Sequence, residues 1–593
     1  MEFQSGRRLE HHYFLNTRPQ PKITRRSASP EALDALQALP PLQRRVFAQR
    51  GITDPDELEL SLRRLHPVSE FPACIQAAEL LYSVMRESGR ILLVGDYDAD
   101  GATGVAVAIR SLYAMGYEQV EYLVPDRFRH GYGFCPELME EVEKQNPALI
   151  VTVDNGMSSQ AAVAEARKRD IQVLITDHHL PSNDLPEADC IVNPNSPPDS
   201  FASTALAGVG VMFYVMLALR QYLEKEGWFA QKGIEAPNMA QFLDLVAVGT
   251  VADVVPLDRN NRILVEHGLR CIRQGRGAPG IVSLLRYGRR DPRQVSSTDL
   301  AFVVAPRINA AGRMEDIAIG IRCLLAEGRV EAHDLAEQLN QINTRRRDEE
   351  GSMHAEALRE VEDLSLETDQ AMSLCLYRPN WHEGVVGIIA SRIKERYGLP
   401  TIVFARSQDD LLKGSGRSVP GLNLRDVLVD VEQAEPELMR RYGGHAMAVG
   451  LTLHESGLER FQAVLEQAVS KALGGVRPSQ TIETDGELAS EELTLENAEF
   501  AALGHPWGKD FLPPLFEGEF EIQDRRTFKG AHTRFHLNPI GHPERRIKAM
   551  AFSHDRFDWD PESSRFRLVY ELNVDEYQGH RSCMLNIQHI ESL

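Results

Sequence analysis

Six carboxylates and two imidazoles carry the reactive chemistry of this chain. Asp96, Asp98 and Asp100 alternate in Gly95-Asp96-Tyr97-Asp98-Ala99-Asp100-Gly101, directly after the apolar run Ile91-Leu92-Leu93-Val94. Asp154 follows another apolar run in Val153-Asp154-Asn155-Gly156. Asp177, His178 and His179 follow the next, and Asp253 ends a further one in Gly249-Thr250-Val251-Ala252-Asp253. Carboxylates packed this closely repel one another unless a cation neutralises them. Oxygen donors with imidazoles and no thiolate suit a hard or borderline divalent ion, Mn²⁺ or Mg²⁺, better than structural zinc. With one carboxylate bridging, two ions would sit about 3.5–4 Å apart, the arrangement used for in-line displacement at phosphorus by an activated water.

Blander readings exist for each piece. Asp-x-Asp-x-Asp-Gly also opens a calcium-binding loop, but Val107 stands at the twelfth position, where a bidentate Glu is required. A lone Asp after a strand could equally cap a helix, and a His pair could simply be hydrogen-bonded in a loop. It is their recurrence after four apolar segments that favours a metal site.

The elements that must position these groups are readable from periodicity. Apolar runs at Ile91–Val94, Val120–Val124, Ala148–Val153, Ile171–Ile175 and Cys190–Val192 alternate with helical stretches such as Thr103–Met115, Pro136–Lys144 and Ser158–Lys168. This alternation predicts a parallel, doubly wound sheet, whose ligand crevice lies beyond the carboxyl ends of its strands. Residues up to about 30 are polar and basic and are expected to be mobile. A long charged stretch with apolar residues at helical spacing, Leu335, Leu339, Ile342, Ala357, Leu358, Val361 and Leu364, predicts a helix bridging two domains. A second α/β unit and then a small β-barrel follow. The expected divisions are an N-terminal extension (1–70), the sheet domain (71–332), the connecting helix (333–370), the second α/β domain (371–475) and the barrel (480–593).

Composition is that of an ordinary globular protein of several domains. With 593 residues the chain exceeds a single core, and its formal net charge of −21 argues against a general nucleic-acid-coating protein while allowing a local basic channel. Seven scattered cysteines fit neither a zinc ribbon nor a disulfide framework and suit a reducing cytoplasm. The N-terminus shows no signal peptide, and the apolar run Ala205 to Leu219 is short for a membrane span.

The four acidic motifs resemble those of the DHH phosphoesterases, a family named after the third. The segment Ala305-Pro306-Arg307-Ile308-Asn309-Ala310-Ala311-Gly312-Arg313-Met314 is similar to one found in that family's bacterial single-stranded-DNA-specific 5′-to-3′ exonucleases. The resemblance runs from about residue 70 to the C-terminus. It implies that Asp98 and Asp154 hold one metal with Asp96, which stands where many relatives have a histidine. Asp100, Asp154, His178 and Asp253 would hold a second, and His179 would face the scissile phosphate as stabiliser or proton donor. Asp98, Asp100, Asp154 and His179 are then the expected catalytic set, with Asp177 orienting a histidine or capping a helix.

For substrate, Arg307 and Arg313 offer planar forks suited to phosphate oxygens on either side of Asn309, among small residues that would let a phosphate backbone approach. Trp381–Gly387, Gly414–Ser418 with Arg417, and Tyr442–Ala446 with Gly443, Gly444 and His445 look like the accessory domain that accompanies DHH domains. The loop Asp126–Gly133 also resembles the family. In the barrel, Arg525, Arg526, Lys529, Arg534, Arg545, Arg546 and Lys548 are interleaved with Phe528 and Phe535, the pattern by which OB-folds hold single strands. A solvated face over a phenylalanine core is the alternative for any single one of them.

The resemblance implies a monomeric, metal-dependent exonuclease that threads single-stranded DNA between the two α/β units, with a single-stranded-DNA-binding protein and a helicase as expected partners. Two rivals remain. Relatives with these motifs hydrolyse pyrophosphate, short oligonucleotides or cyclic dinucleotides, and some are inactive DNA-binding scaffolds.

Overall fold

The structure, a computed structural model, describes residues 21–126, 133–181, 184–196, 201–364, 371–407, 410–528, 532–552, 557, 559–560 and 562–593. The predicted loop Asp126–Gly133 therefore lies mostly outside the described residues, as does Lys529.

Strands are numbered in chain order. A short strand β1 (Lys22–Arg25) precedes the first sheet, which is built from β2 (Ile91–Gly95), β3 (Val120–Leu123), β4 (Leu149–Val153), β5 (Gln172–Thr176) and β6 (Cys190–Val192). Their order is β3-β2-β4-β5-β6, and every pair is parallel. In β2 and β4 all five residues are buried, as continuous apolar runs demand when helices cover both faces of a sheet. The helix Gly208–Lys225 is the apolar run read above as too short for a membrane, and its first nine residues are all buried. No helix among the described residues is long and apolar enough to cross a membrane. The run ending at Asp253 is not a sheet strand. It is the helix Leu243–Ala252, buried along nearly its whole length, which packs against the helix Ala99–Ala114.

A helix of 36 residues, Arg329–Leu364, leads to the second α/β unit. That unit's sheet comprises β7 (Leu374–Tyr377), β8 (Thr401–Arg406), β9 (Leu411–Arg417), β10 (Met439–Gly444) and β11 (Ala448–His454), in the order β10-β11-β9-β8-β7. Only β7 and β8 are parallel. After β12 (Thr481–Thr484), the strands β13 (Phe516–Phe528), β14 (His532–Pro539), β15 (Ile547–Ala551), β16 (Arg565–Tyr577) and β17 (His580–Ser592) close into a five-stranded barrel, consistent with an OB-fold.

One finding departs from the expectation of a mobile N-terminus. Strand β1 pairs in parallel with β12 along its full length. The reason is electrostatic: Arg26 and Arg50 both reach Asp485, which is fully buried, and Arg25 and Arg567 both reach the buried Glu517. A buried carboxylate is tolerable only when paired, and here Arg25, Arg26 and Arg50 each reach one from more than 400 positions away. Phe47 extends the same interface by packing with Phe500, Trp507 and Phe511.

Candidate metal centre

The predicted acidic residues converge at the carboxyl edge of the first sheet. Asp98 caps the helix Ala99–Ala114, accepting the backbone N–H groups of Asp100 and Gly101. Asp100 is itself held by another helix, since its carboxylate accepts the N–H groups of Gly208 and Val209 at 2.7 and 2.9 Å. Those are orphan donors of the first turn, where the helix dipole favours an anion. Asp154 follows β4 with φ +64°, a backbone conformation that asparagine and aspartate tolerate better than most side chains. Its carboxylate lies so close to Gly208 that a β-carbon there would collide with it. The motifs identify the acids, but nothing local in Ala207-Gly208-Val209 marks its role as their support.

Three groups of these side chains place ligand atoms within 4.8 Å of one another: Asp96, Asp98 and Asp154; Asp100, His178 and Asp253; and Asp154, His178 and His179. Asp154 and His178 each belong to two of them. His178 Nε2 lies 3.1 Å from Asp154 Oδ1 and 3.4 Å from Asp253 Oδ2. That nitrogen is buried and, among the described residues, makes no hydrogen bond; an orphaned polar atom facing carboxylates is what a cation ligand requires. Asp177 is turned away from this set. One of its oxygens accepts His179 Nδ1 at 2.7 Å together with the N–H groups of His178 and His179, and the other accepts Met157 N–H.

The electrostatics favour a cation. Burial, then the charge of Asp98, pushes the Asp96 carboxyl well above the usual range. Burial and the neighbouring carboxylates do the same to Asp154 and Asp253, and lift Asp100 to about 7. Burial holds His178 down at about 4, a neutral ring suited to ligation. Burial pulls His179 down too, but its hydrogen bond to Asp177 and the charges of Asp177, Asp253 and Asp96 outweigh it and raise the ring to about 9. A set of mutually repelling anions fits divalent cations in both number and donor type.

A cavity of about 460 Å³ opens over the cluster between the two α/β units. Asn309, Arg313 and Asp253 line one side; Glu383, Ser415 and Arg417 line the other. Arg313 donates to the Gly384 carbonyl across the gap at 3.5 Å, and Arg417 is steadied by Ser415 Oγ and the Gly416 carbonyl. His445, next to the edge strand β10, is near enough to exchange charge effects with His178 and His179. Gly443 and Gly444 are exposed in β10 and do not line the cavity.

The expected substrate residues of the helix Ala305–Met314 are placed differently from one another. Arg307 is not in the cavity lining: its guanidinium donates to the Val303 carbonyl and to Asn340 on the long helix, so it joins helices. The small residues Ala310, Ala311 and Gly312 are buried, and Gly312 packs on the Tyr97 carbonyl; they bring the helix Ala305–Met314 against the aspartate loop. Asn309 shares that task, accepting Ala99 N–H at 2.7 Å while also lining the cavity.

The barrel arginines are likewise sorted by the structure. Arg525 lies over Trp559, and Arg526 and Arg534 lie over Phe528, at 5.2–5.8 Å. Phe535 is core, Arg545 donates to the Leu493 carbonyl, and Lys548 pairs with Asp575.

The chain matches the family models of the DHH family N-terminal domain over residues 90–250, the DHHA1 domain over 370–471 and the RecJ OB domain over 484–589. It is 46% identical over 555 residues to the single-stranded-DNA-specific exonuclease RecJ of Dickeya dadantii (strain 3937), covering 93% of this chain and 96% of that protein. The chain belongs to the RecJ family. The RecJ of Salmonella typhimurium (strain LT2) is 44% identical over 573 residues, covering 96% of this chain and 99% of that one. The crystal structure of RecJ in complex with Mn²⁺ from Thermus thermophilus superposes with a TM-score of 0.77 at 27% identity, covering 96% of this chain and 79% of that one. The order of domains seen here, sheet domain, accessory domain and barrel, is thus the RecJ order.

Proposed function

We propose that this RecJ-family chain is a metal-dependent exonuclease that hydrolyses single-stranded DNA from the 5′ end and releases mononucleotides. The observation that carries this reading is the convergence of three ligand groups, sharing Asp154 and His178, under a cavity walled by Arg313 and Arg417. Asp96, Asp98 and Asp154 would hold one Mn²⁺ or Mg²⁺; Asp100, Asp154, His178 and Asp253 would hold the other. When bound, the ions supply Lewis acidity and a water acidic enough to attack phosphorus at neutral pH.

The protein's own residues do the rest. Arg313 and Arg417 clamp phosphate oxygens from facing walls, so the terminal nucleotide is oriented before reaction. Asp177 fixes His179 through Nδ1, and the ring so oriented would stabilise the charge that develops on the phosphate or give a proton to the departing oxygen. Asp100, steadied by two helix N–H groups, keeps its place with or without substrate. The basic, aromatic barrel face argues against a substrate as small as pyrophosphate or a cyclic dinucleotide, and the complete donor set argues against an inactive scaffold. We extend the proposal to a monomeric, cytoplasmic protein working with a single-stranded-DNA-binding protein and a helicase; seven free cysteines suit a reducing compartment.

End-labelled single-stranded and duplex DNA with Mn²⁺ tests the reading. Nucleotides should leave the single strand from its 5′ end and not the duplex. Absence of release by the wild type, or undiminished release by Asp98→Ala, would sink it.

A further inference from the structure

On the far side of Asp253 a second cavity, of about 880 Å³, separates the first α/β domain from the barrel. Two of its lining residues are anomalous. Val254, next to Asp253, has φ +59° and is 59% exposed. A β-branched side chain in left-handed backbone is a genuine outlier, and such strain concentrates where it serves a ligand. Phe302 is 76% exposed on the π-helical turn Leu300–Val304, a distortion frequent at functional sites. The same helical segment runs on to Arg313 in the catalytic cavity, roughly 16 Å further along its axis.

Lys509 enters from the opposite wall, its backbone carbonyl held by Leu257 N–H, and its ammonium is among the charges that act on Asp253. Beyond it the wall is strand β16, from Glu571 to Val574. The groove thus begins at Val254, the residue after a proposed metal ligand, and ends on the barrel. Its charges are mixed, with Arg290 paired to Asp299, Gln294 to Glu576 and Asn586 to Glu571. Such a surface offers little to a row of phosphates but suits flat, apolar bases.

We propose that this groove holds the bases of the strand just downstream of the cleavage site, with Phe302 as the stacking platform and Val254 as the apolar floor beside Asp253. It rests on the exonuclease reading above. A strand engaged at once by the metal centre and by the barrel must cross the surface between them. An exposed aromatic on that route is the residue type on which bases of any sequence can stack. Lys509 then meets the backbone at the entrance.

The test uses the full chain with Mn²⁺ on a dinucleotide and on an oligonucleotide of about 20 residues. Phe302→Ala should raise KM for the long strand roughly tenfold, leave kcat and dinucleotide hydrolysis unchanged, and leave the salt dependence of binding unchanged. Phe302→Trp should restore the wild-type KM, whereas Phe302→Leu should not. In parallel, 2-aminopurine placed in the downstream nucleotides should be quenched on binding to wild type and not to Phe302→Ala. An unchanged KM in an active Phe302→Ala enzyme, or full rescue by leucine, overturns the inference and spares the exonuclease reading. Failure of the wild type to hydrolyse either substrate defeats that reading instead.

Discussion

The metal centre and the barrel face are built on opposite principles. At the centre three of the proposed ligands are anchored by main chain: Asp98 by a helix cap, Asp100 by two N–H groups of another helix, and Asp154 by a strained turn against Gly208. On the barrel, Arg525, Arg526 and Arg534 rest on neighbouring aromatic rings. Chemistry needs donors fixed before the substrate arrives. Capture of a strand of any sequence needs side chains that can follow it. Substitutions should therefore fall into two classes, one abolishing turnover and the other shifting affinity and its salt dependence.

The largest effect should come from Asp154→Asn. Asparagine tolerates the same backbone, but it cannot bridge two cations, so turnover should fall by ~10³-fold or more. Without metal the variant should be more stable than wild type, since burial and like charges destabilise the native carboxylate. Saturating Mn²⁺ should reverse that order, a ligand at 100 times its Kd stabilising the wild type by about 2.7 kcal/mol. Calorimetry with and without chelator reads both, and a metal-independent melting temperature in the wild type would break the comparison.

Next in size, Arg417→Ala should cost roughly 10–100-fold in kcat/KM with an unaltered melting temperature, because it removes a charge-assisted phosphate contact while its hydrogen bonds to Ser415 and Gly416 are local. A double change of Arg525 and Arg534 to alanine should be milder for short substrates and visible in binding, with the slope of log K against log salt falling by about one per lost phosphate contact. An unchanged slope would mean that these arginines serve the barrel itself and not the strand.

The smallest effect concerns acid. Burial pushes the Glu517 carboxyl up, but hydrogen bonds and charge from Arg25 and Arg567 outweigh it and hold it below its ordinary 4.5. A carboxyl depressed in the folded state contributes stability that is present above its ordinary value and lost as pH falls through the folded value. Melting temperature should therefore drop as pH falls below about 4.5, and less steeply in Glu517→Gln.

How much of this could be read beforehand depended on range in sequence. The parallel sheet and the aspartate loops were legible because buried strands and the turns after them are written in consecutive residues. Asp253 was legible as a residue but not as the end of a helix, since a short apolar run carries no period that distinguishes it from a strand. Arg307 and Arg313 look alike in sequence; only the approach of Asn340 and Gly384 assigns one to the scaffold and the other to the cleft. The support given by Gly208, the exposure of Phe302 and the pairing of β1 with β12 all depend on segments far apart in the chain.

That last pairing bears on the order of synthesis. Arg25 and Glu517 are 492 positions apart, so β1 is synthesised long before its sheet partner and its counter-ion exist. Both α/β units can fold in the interval, whereas the barrel can seal against β1 only after them. A nascent or truncated chain would therefore carry an assembled metal centre with its proposed strand-holding surface undocked, and final closure is the slow, long-range step to expect in refolding.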